Sequence, residues 1–571
     1  MTVSTDQPTI HPIIRKHLSL QGLLENGVLD NYLYPTLAEL PSPFLLKSMD
    51  KAVDLVIESI QAGSEIIIWG DYDVDGITST ALLILFFRQL GVEVRYYVPD
   101  RLTEGYGLNG LKLSQISEKK DQKKLLITVD CGISDHQEIA LAQAHGFQVI
   151  VTDHHNVPHN TVGAEAVINP KQTGCCFPYK HLAGVGVAFY LAIGIRAHLC
   201  NIKHSKTIDY RPNLKSFLGL VALGTVADVM PLDGVNRILV KGGLEAIAGG
   251  DCLGLGVLLD EIGVNKAQLA SEAISFQVAP VVNAAGRMGA PLVALEALIH
   301  EGSDERSKSL AQKLVSLNKK RKKVGKSDLE NALNIVSKHM LNDAKSIVIC
   351  GDFHDGVIGI TASRLSELYG VPAIVCCNNS KDKLTLKGSG RGPVHFDLYA
   401  AIRSCEHYLE KYGGHEVAAG ITIKREVFND FAKEFERQAA MQLSDLNKQK
   451  MTCDNNFLDL SLSTALNSAL LTNLWQLEPV GVGNPKPIFR DTQACLTDIH
   501  LFGARQEHLR GVIRGTYSNV KVVGFNIGER AHRIRPGETC TIIYSHMFDN
   551  YGGRSQWKIR IEDIWQHDQD Q

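Results

Sequence analysis

Hydrophobic and polar positions in the first half of the chain fall into alternating blocks. A short β-branched run at 65–69 is followed by the polar string GDYDVDG at 70–76 and by an apolar, helix-compatible run at 77–90. Further strand-like runs fall at 92–98, 125–129 and 148–152, with a helical spacer at 135–145. Such alternation predicts a parallel sheet with helices on both faces. The stretch 182–195 is 14 residues long, apolar and rich in small side chains. It is too short to span a bilayer and is expected to be a buried helix. Segment 306–326 carries nine basic residues and no acidic one, with Leu310, Leu314, Leu317 and Val324 in an apolar stripe. That pattern predicts a long helix joining two lobes. A second α/β pattern opens at 346–350, continues with a helix at 358–369 and a strand at 372–377, and closes with an amphipathic helix at 426–443. Beyond 455, short alternating runs such as 520–525 and 539–544 predict a small all-β module. The expected divisions are an N-terminal extension (1–50), a first α/β domain (51–302), a connecting helix (303–343), a second α/β domain (344–453) and the β module (454–571).

Composition narrows the class. The 571 residues include 59 basic and 62 acidic ones, for a net charge of −3. That excludes a polybasic protein coating nucleic acid by bulk charge, but not a local basic groove. At 44% hydrophobic and 21% charged, the chain is not a disordered one. Its 12 cysteines include no Cys-x-x-Cys, which removes zinc ribbons and thioredoxin-type motifs. Sparse cysteine and the absence of a long apolar segment lead to the expectation of a cytoplasmic protein without membrane attachment.

The acidic residues fall in a pattern. Asp71, Asp73 and Asp75 follow the first strand, Asp130 the third, and Asp153, His154 and His155 the fourth. Asp228 follows another apolar run, 218–227, expected to place it at an equivalent strand end. Ligands of open parallel sheets bind at the C-terminal rim of the strands. Several carboxylates brought together there require a counter-charge, and divalent metal supplies one. Oxygen and imidazole ligands without thiolate suit Mn²⁺ or Mg²⁺, and two ions explain the ligand number best. A calcium loop fits poorly, because position twelve of the candidate loop is Leu82. Any one of these aspartates, taken alone, reads more simply as a helix cap.

GDYDVDG, TVDCG at 128–132, DHH at 153–155 and GTVADV at 224–229 resemble the successive motifs of the DHH phosphoesterases. NAAGRMGAP at 283–291, GVIGITASRL at 356–365, GSGR at 388–391 and GGHEVAAG at 413–420 resemble those of the RecJ family within them, the single-stranded-DNA-specific 5′→3′ exonucleases. The resemblance implies a DHH catalytic domain, a DHHA1-type phosphate- and nucleic-acid-binding domain and a C-terminal OB-fold that binds single strands. It implies two-metal phosphodiester hydrolysis releasing mononucleotides in DNA repair and recombination, with two divalent cations, Mn²⁺ in preference to Mg²⁺. The metal ligands it implies are Asp73, Asp75, Asp130, His154 and Asp228, with Asp71 and His155 in the remaining active-site positions. Cys131 stands where many relatives have a small polar residue and is expected to pack.

In the second lobe, Gly388-Ser-Gly-Arg391 reads as a flexible loop offering backbone donors, a hydroxyl and a guanidinium to a phosphate. Gly413-Gly-His415 reads as a close-approach turn. With the family in view, Ser389, Arg391 and Arg101 hold the 5′-terminal phosphate, and Arg287 and His415 contact the scissile region. Phe502, Tyr517, Phe525, Tyr544, Phe548 and Trp557 are stacking candidates in the β module, each more simply read as core. The Lys319–Lys323 run reads as a solvated helix face, or otherwise as a surface tracking a backbone. The partners implied are single-stranded DNA, a single-strand-binding protein and a recombination helicase, with the chain a monomer. Two alternatives stay open: a DHH phosphodiesterase for short oligonucleotides or cyclic dinucleotides, and a non-catalytic DNA-binding scaffold.

Overall fold

A computed structural model describes residues 10–25, 27–116, 123–201, 212–339, 343–379, 382–448, 457–503, 505–514, 519–549 and 556–566. The first lobe is built on β1 (Glu65–Trp69), β2 (Arg95–Tyr97), β3 (Lys124–Val129), β4 (Phe147–Thr152) and β5 (Ala166–Ile168). All neighbouring pairs are parallel, in the order β2-β1-β3-β4-β5. Alternate residues enter two cores: Ile66, Ile68, Leu125 and Ile127 pack on one face, Ile67, Trp69, Leu126 and Val149 on the other. Burial on both faces explains why these strands are continuously apolar. From β1 the chain moves outward to β2, then returns across β1 to β3. The reversal leaves a crevice between the C-terminal ends of β1 and β3, where open α/β sheets take ligands.

The run at 218–227 corrects an expectation. It is not a strand but the helix Leu218–Ala227, buried along its length, and Asp228 ends that helix. A run apolar on every side has no period to read, so helix and strand look alike in sequence. The helix Gly184–Asn201 fills the place expected of the small-residue stretch. Among the described residues, no single helix is long and apolar enough to cross a membrane.

The connecting helix is Glu305–His339, 35 residues, which at 1.5 Å per residue spans about 50 Å. Ala311 and Leu314 belong to the first lobe's core, Ala332 and Val336 to a core of the second. The second lobe holds β6 (Ile347–Cys350), β7 (Ala373–Asn378), β8 (Thr385–Arg391), β9 (Leu409–His415) and β10 (Ala418–Lys424), ordered β6-β7-β8-β10-β9. Two further expectations are corrected here: Gly388–Arg391 is the end of β8 and Gly413–His415 the end of β9, neither a loop nor a turn. Gly388 and Gly414 serve close approach between strands, whereas Gly413 faces open space. A Cβ at Gly388 would meet Cys376 Sγ and Ile421 Cγ1, each at 2.7 Å.

The C-terminal module has β11 (Leu458–Asp459), β12 (Phe489–Phe502), β13 (His508–Ile513), β14 (Val520–Gly524), β15 (Thr539–Asp549) and β16 (Gln556–Gln566). The order is β11-β12-β13-β14-β16-β15, and pairing of β15 with β12 closes the barrel. The helix Ser468–Gln476 precedes the barrel strands from β12 onward. Ile14 and Leu18, on the N-terminal helix Pro12–Leu20, pack in the barrel's core rather than on the adjacent first lobe.

Arg237 ties these parts together. It is 3% exposed, and its guanidinium donates to the carbonyls of Tyr32 (2.8 Å), Leu477 (3.0 Å), Pro479 (3.2 Å) and Gln476 (3.4 Å). Its carbon also lies 3.9 Å from the centre of the Tyr32 ring. Replacing Arg237 by methionine keeps the volume; the Leu477 and Pro479 carbonyls retain Asn484 Nδ2 (3.1 and 2.6 Å), but those of Tyr32 and Gln476 lose the guanidinium, each at a cost of about 1–3 kcal/mol. The expected result is a loss of several kcal/mol, read as a lowered urea midpoint, with early exposure of Trp475 fluorescence.

Candidate active site

β1 ends at Trp69, and the chain turns into the helix Val74–Gln89. Asp73 caps that helix, Oδ1 accepting from the Gly76 amide at 3.0 Å. Capping and a place in the acidic cluster are thus held by one side chain. Asp75, in the first turn, is fully enclosed, and its oxygens accept the amides of Gly184 (2.6 Å) and Val185 (2.8 Å). Those amides open the helix Gly184–Asn201, so its positive end faces the cluster. Asp130 follows β3 with φ of 60°, and Val229, beside Asp228, has φ of 57°. Left-handed backbone at non-glycine residues is costly and concentrates at functional sites. Gly184 must be glycine, since a Cβ there would lie 2.7 Å from Asp130 Cβ and Oδ1.

His154 Nε2 stands at the centre, 3.2 Å from Asp130 Oδ1, 3.5 Å from Asp228 Oδ2 and 3.8 Å from Asp75 Oδ2. Two ligand sets emerge, Asp75–His154–Asp228 and Asp71–Asp73–Asp130, each with ligand atoms within 4.8 Å of one another. A third combination, Asp130–His154–His155, meets the same distance. Asp71 Oδ1, Asp130 Oδ1, Asp228 Oδ2 and His154 Nδ1 are buried without a hydrogen-bond partner. Orphaned oxygens converging on one volume are what a pair of hard divalent cations would satisfy. The donor set therefore fits the expected Mn²⁺ or Mg²⁺.

The electrostatics agree. Burial, then the charges of neighbouring aspartates, raises the Asp71 and Asp130 carboxyls well above the usual range. The same causes push Asp75 to about 7 and Asp228 to about 9. Burial lowers His154 to about 3, which keeps its ring neutral and able to ligate. A carboxyl that binds its proton more tightly folded than unfolded makes folding less favourable as pH rises. Metal-free protein is therefore expected to lose thermal stability steadily from the ordinary carboxyl value of 3.8 up to about 9. Mn²⁺ requires the deprotonated forms, so the Tm gap between loaded and metal-free protein should widen over the same interval. Calorimetric titration in buffers of different ionisation enthalpy should show proton release at neutral pH.

His155 sits beside the cluster. Its Nδ1 is 2.8 Å from Asp153 Oδ1 and 3.3 Å from the Tyr106 hydroxyl, which donates to the Asp130 carbonyl at 3.1 Å. Asp153 is fully buried and also accepts the amides of Ile133, His154 and His155. Burial pushes Asp153 upward, but the bond and charge of His155 outweigh it and hold the carboxyl low. Burial likewise pulls His155 down, and Asp153 outweighs it, so the ring holds its proton more tightly than a free imidazole. Across a cleft of about 900 Å³ lined by Tyr106, His155, Tyr399 and Val417 stands His415, on β9. Burial and the charge of His155 lower it.

A second group is basic. Arg391 Nη1 donates to Ser389 Oγ (3.1 Å) and to the Gly390 carbonyl (2.7 Å). A Cβ on Gly359 would meet Ser389 Oγ at 3.0 Å and Arg391 Nη2 at 3.1 Å, so the helix Ile358–Tyr369 begins against this pair. Arg287 donates to the Gly356 carbonyl at 3.3 Å. Burial, then the charges of Arg101, Arg321 and Arg391, pushes Arg287 down to about 9. Arg101 also lies over the Tyr72 ring, 5.4 Å from its centre. Close guanidinium groups at a helix N-terminus, short of counter-charge, form an anion site.

The structure thus gathers Asp71, Asp73, Asp75, Asp130, His154 and Asp228 in one cluster, sets His155 beside it and His415 opposite, and joins Arg101, Arg287, Ser389 and Arg391 in the basic group. Sequence reasoning missed Tyr106, Asp153 as the partner of His155, and Arg321. Tyr106 lay in EGYG at 104–107 without a chemical signature, and Arg321 was hidden in a run read as a solvated face. Cys131 packs as expected, fully buried in the core under β1. In the barrel, Tyr544 is core and Phe525 is 40% exposed, while Tyr517 lies outside the described residues.

Comparison with known proteins agrees with this geometry. The DHH family N-terminal domain profile matches residues 65–225, the DHHA1 domain 343–441 and the RecJ OB domain 458–563. The chain is 33% identical to the single-stranded-DNA-specific exonuclease RecJ of Haemophilus influenzae, over 97% of this chain and 96% of that one. It is 32% identical to the Bacillus subtilis protein of the same name, over 98% of this chain and 68% of that one. The crystal structure of Thermus thermophilus RecJ in complex with Mn²⁺ superimposes with a TM-score of 0.78 at 27% identity, covering 98% of this chain and 76% of that one. The same protein with Mg²⁺ gives 0.72. With 96% of one relative's length matched and three domain profiles in order, the chain belongs to the RecJ family of single-stranded-DNA-specific exonucleases.

Proposed function

We propose that this chain removes mononucleotides from single-stranded DNA in the 5′→3′ direction by hydrolysis of the terminal phosphodiester. The observation that carries the reading is the pairing of two incomplete sites: a carboxylate–imidazole cluster short of cations and, beside it, an arginine cluster short of an anion. Asp73, Asp75, Asp130, His154 and Asp228, with Asp71 beside them, would hold two divalent cations. When bound, these supply Lewis acidity at the scissile phosphate. Arg391, Ser389 and Arg101 would take the terminal 5′-phosphate, which only a strand end presents, and so set exonucleolytic cleavage. The basic cluster stands next to the carboxylates, so the bond presented is the first one in. Water attacks phosphorus in line and the 3′ oxygen leaves. His155, oriented by Asp153 and Tyr106 and holding its proton more tightly than a free imidazole, would be placed to give that oxygen its proton, and Arg287 to balance charge on the phosphoryl oxygens. His415 would close the site from the second lobe. Family membership alone supports the rest of the reading: a monomer, in the cytoplasm, serving repair and recombination beside a single-strand-binding protein and a recombination helicase.

A uniformly labelled single strand with a 5′-phosphate, incubated with Mn²⁺, tests this directly. Mononucleotides should accumulate from the first turnover, and a blocked 5′ end should stop them. Internal fragments, or equal release from a strand blocked at its 5′ end, would overturn the proposal.

A further inference from the structure

The helical run from Ser271 to Arg287 contains a π-helical turn, Ile274–Val278, between two α-helical pieces. One side of this run is buried, through Ala273, Ile274, Val278, Val281, Val282 and Ala285. The opposite side carries Glu272, Phe276, Pro280, Asn283 and Arg287, spaced three or four residues apart. Phe276 is 73% exposed there, a large aromatic side chain facing outward beside a fully formed core. π-helical turns inside α-helices occur frequently at functional sites.

The two ends of that stripe are informative. At one end is Arg287, inside the basic cluster. At the other, Glu272 pairs with Lys486 (3.4 Å) and Arg560 (3.8 Å) of the C-terminal module. Arg560 in turn lies 5.8 Å from the centre of the exposed Phe525 ring. Ser271 fixes the junction: its hydroxyl, 2.7 Å from both the Val480 carbonyl and Glu478, gives its one proton to one of them and accepts the Val480 amide (3.0 Å), while its own amide donates to Glu478 (3.1 Å). The stripe is therefore a rigid bridge from the arginine cluster to the barrel. Phe276 lies eleven positions before Arg287, about 16 Å along a helix axis, several nucleotides of a strand.

We infer that Phe276 is a stacking platform for a base of single-stranded DNA on its way from the barrel to the active site. The inference rests on the proposed exonuclease function and adds to it a named contact downstream of the scissile bond. An exposed ring offers a face to any base, so it suits a strand read without sequence preference. Lys486 and Arg560 offset Glu272, the one acid on the stripe, so it does not repel the phosphates of a passing strand.

The test compares full-length wild type with Phe276→Ala and Phe276→Trp, each with Mn²⁺. The substrates are a 5′-phosphorylated 20-mer, a 5′-phosphorylated dinucleotide, and a 20-mer lacking bases over nucleotides 3–8. For Phe276→Ala, the ratio of 20-mer to dinucleotide kcat/KM should fall about tenfold. Phe276→Trp should restore the ratio, and its indole fluorescence should be quenched by the 20-mer. The base-free stretch should cost wild type a similar factor and cost Phe276→Ala no more. An unchanged ratio in Phe276→Ala, or the same penalty for the base-free strand in both proteins, overturns stacking while wild-type degradation leaves the exonuclease reading intact. Failure of wild type to degrade the 20-mer overturns both.

Discussion

Replacing Asp130 by asparagine is expected to cut hydrolysis of a 5′-phosphorylated strand by at least about a thousandfold, while raising the Tm of metal-free protein. The two effects share one cause. Asp130 Oδ1 is buried without a hydrogen-bond partner, 3.2 Å from His154 and amid the charges of Asp75, Asp73 and Asp228. Burial first, then those neighbours, resists ionisation of this carboxyl, and metal-free protein carries that strain at neutral pH. An amide removes one charge from the crowd, so the apo fold gains. The same charge belongs to the ligand set Asp71–Asp73–Asp130 and lies against the other, so cation binding loses most. Thermal unfolding with and without Mn²⁺ should show a higher apo Tm and little further rise on adding metal. A variant as active as wild type, or an apo Tm unchanged or lowered, would show that this carboxylate is not the one shared between the sites.

Arg391→Ala should lower kcat/KM on 5′-phosphorylated strands by about a hundredfold and have little effect on 5′-hydroxyl strands. Truncating one partner of a buried, hydrogen-bonded charge pair costs about 2–5 kcal/mol, and the terminal phosphate is the partner in question. Arg391 is largely buried, pinned to Ser389 Oγ and the Gly390 carbonyl, and its pKa is lowered by burial and by Arg101. Removing it relieves repulsion on Arg101 and Arg287, so the fold should not suffer. The decisive readout is the preference between the two 5′ ends, which should collapse toward unity. A preference that survives would move the terminal-phosphate site elsewhere.

How much of this was legible in the sequence depended on whether a residue's chemistry or its partner carried the signal. The strands at 65–69, 125–129 and 148–152 announced themselves because they are buried on both faces, and their lengths were right to within a residue or two. The carboxylates were legible because acids placed after apolar runs have no other routine use in such number. The apolar run before Asp228 misled, since burial on all sides of the helix Leu218–Ala227 erases the period that separates helix from strand. The second-lobe glycines misled for a different reason. Gly388 and Gly414 look like turn residues, but the sheet uses the missing side chain to bring strands together. Asp153, Tyr106 and Arg321 matter through what they touch, and contacts between distant segments are not written in local pattern. The packing of Ile14 and Leu18 into the barrel core, across most of the chain's length, was beyond reach for the same reason.

The 35-residue helix between the lobes has one more consequence. Arg101 and Arg287 come from the lobe at one end of it, Ser389 and Arg391 from the lobe at the other, while every carboxylate belongs to the first. On the proposed function, the gap between a strand's terminal phosphate and its first cleavable bond would be a gauge with one jaw, the carboxylates, on a single body and the other shared between both. A helix is a stiff spindle: each residue added to it turns one jaw by about 100° and carries it about 1.5 Å along the axis. On that reading, the size of the piece cut from a strand would depend on the residue count of a segment that supplies none of the carboxylates.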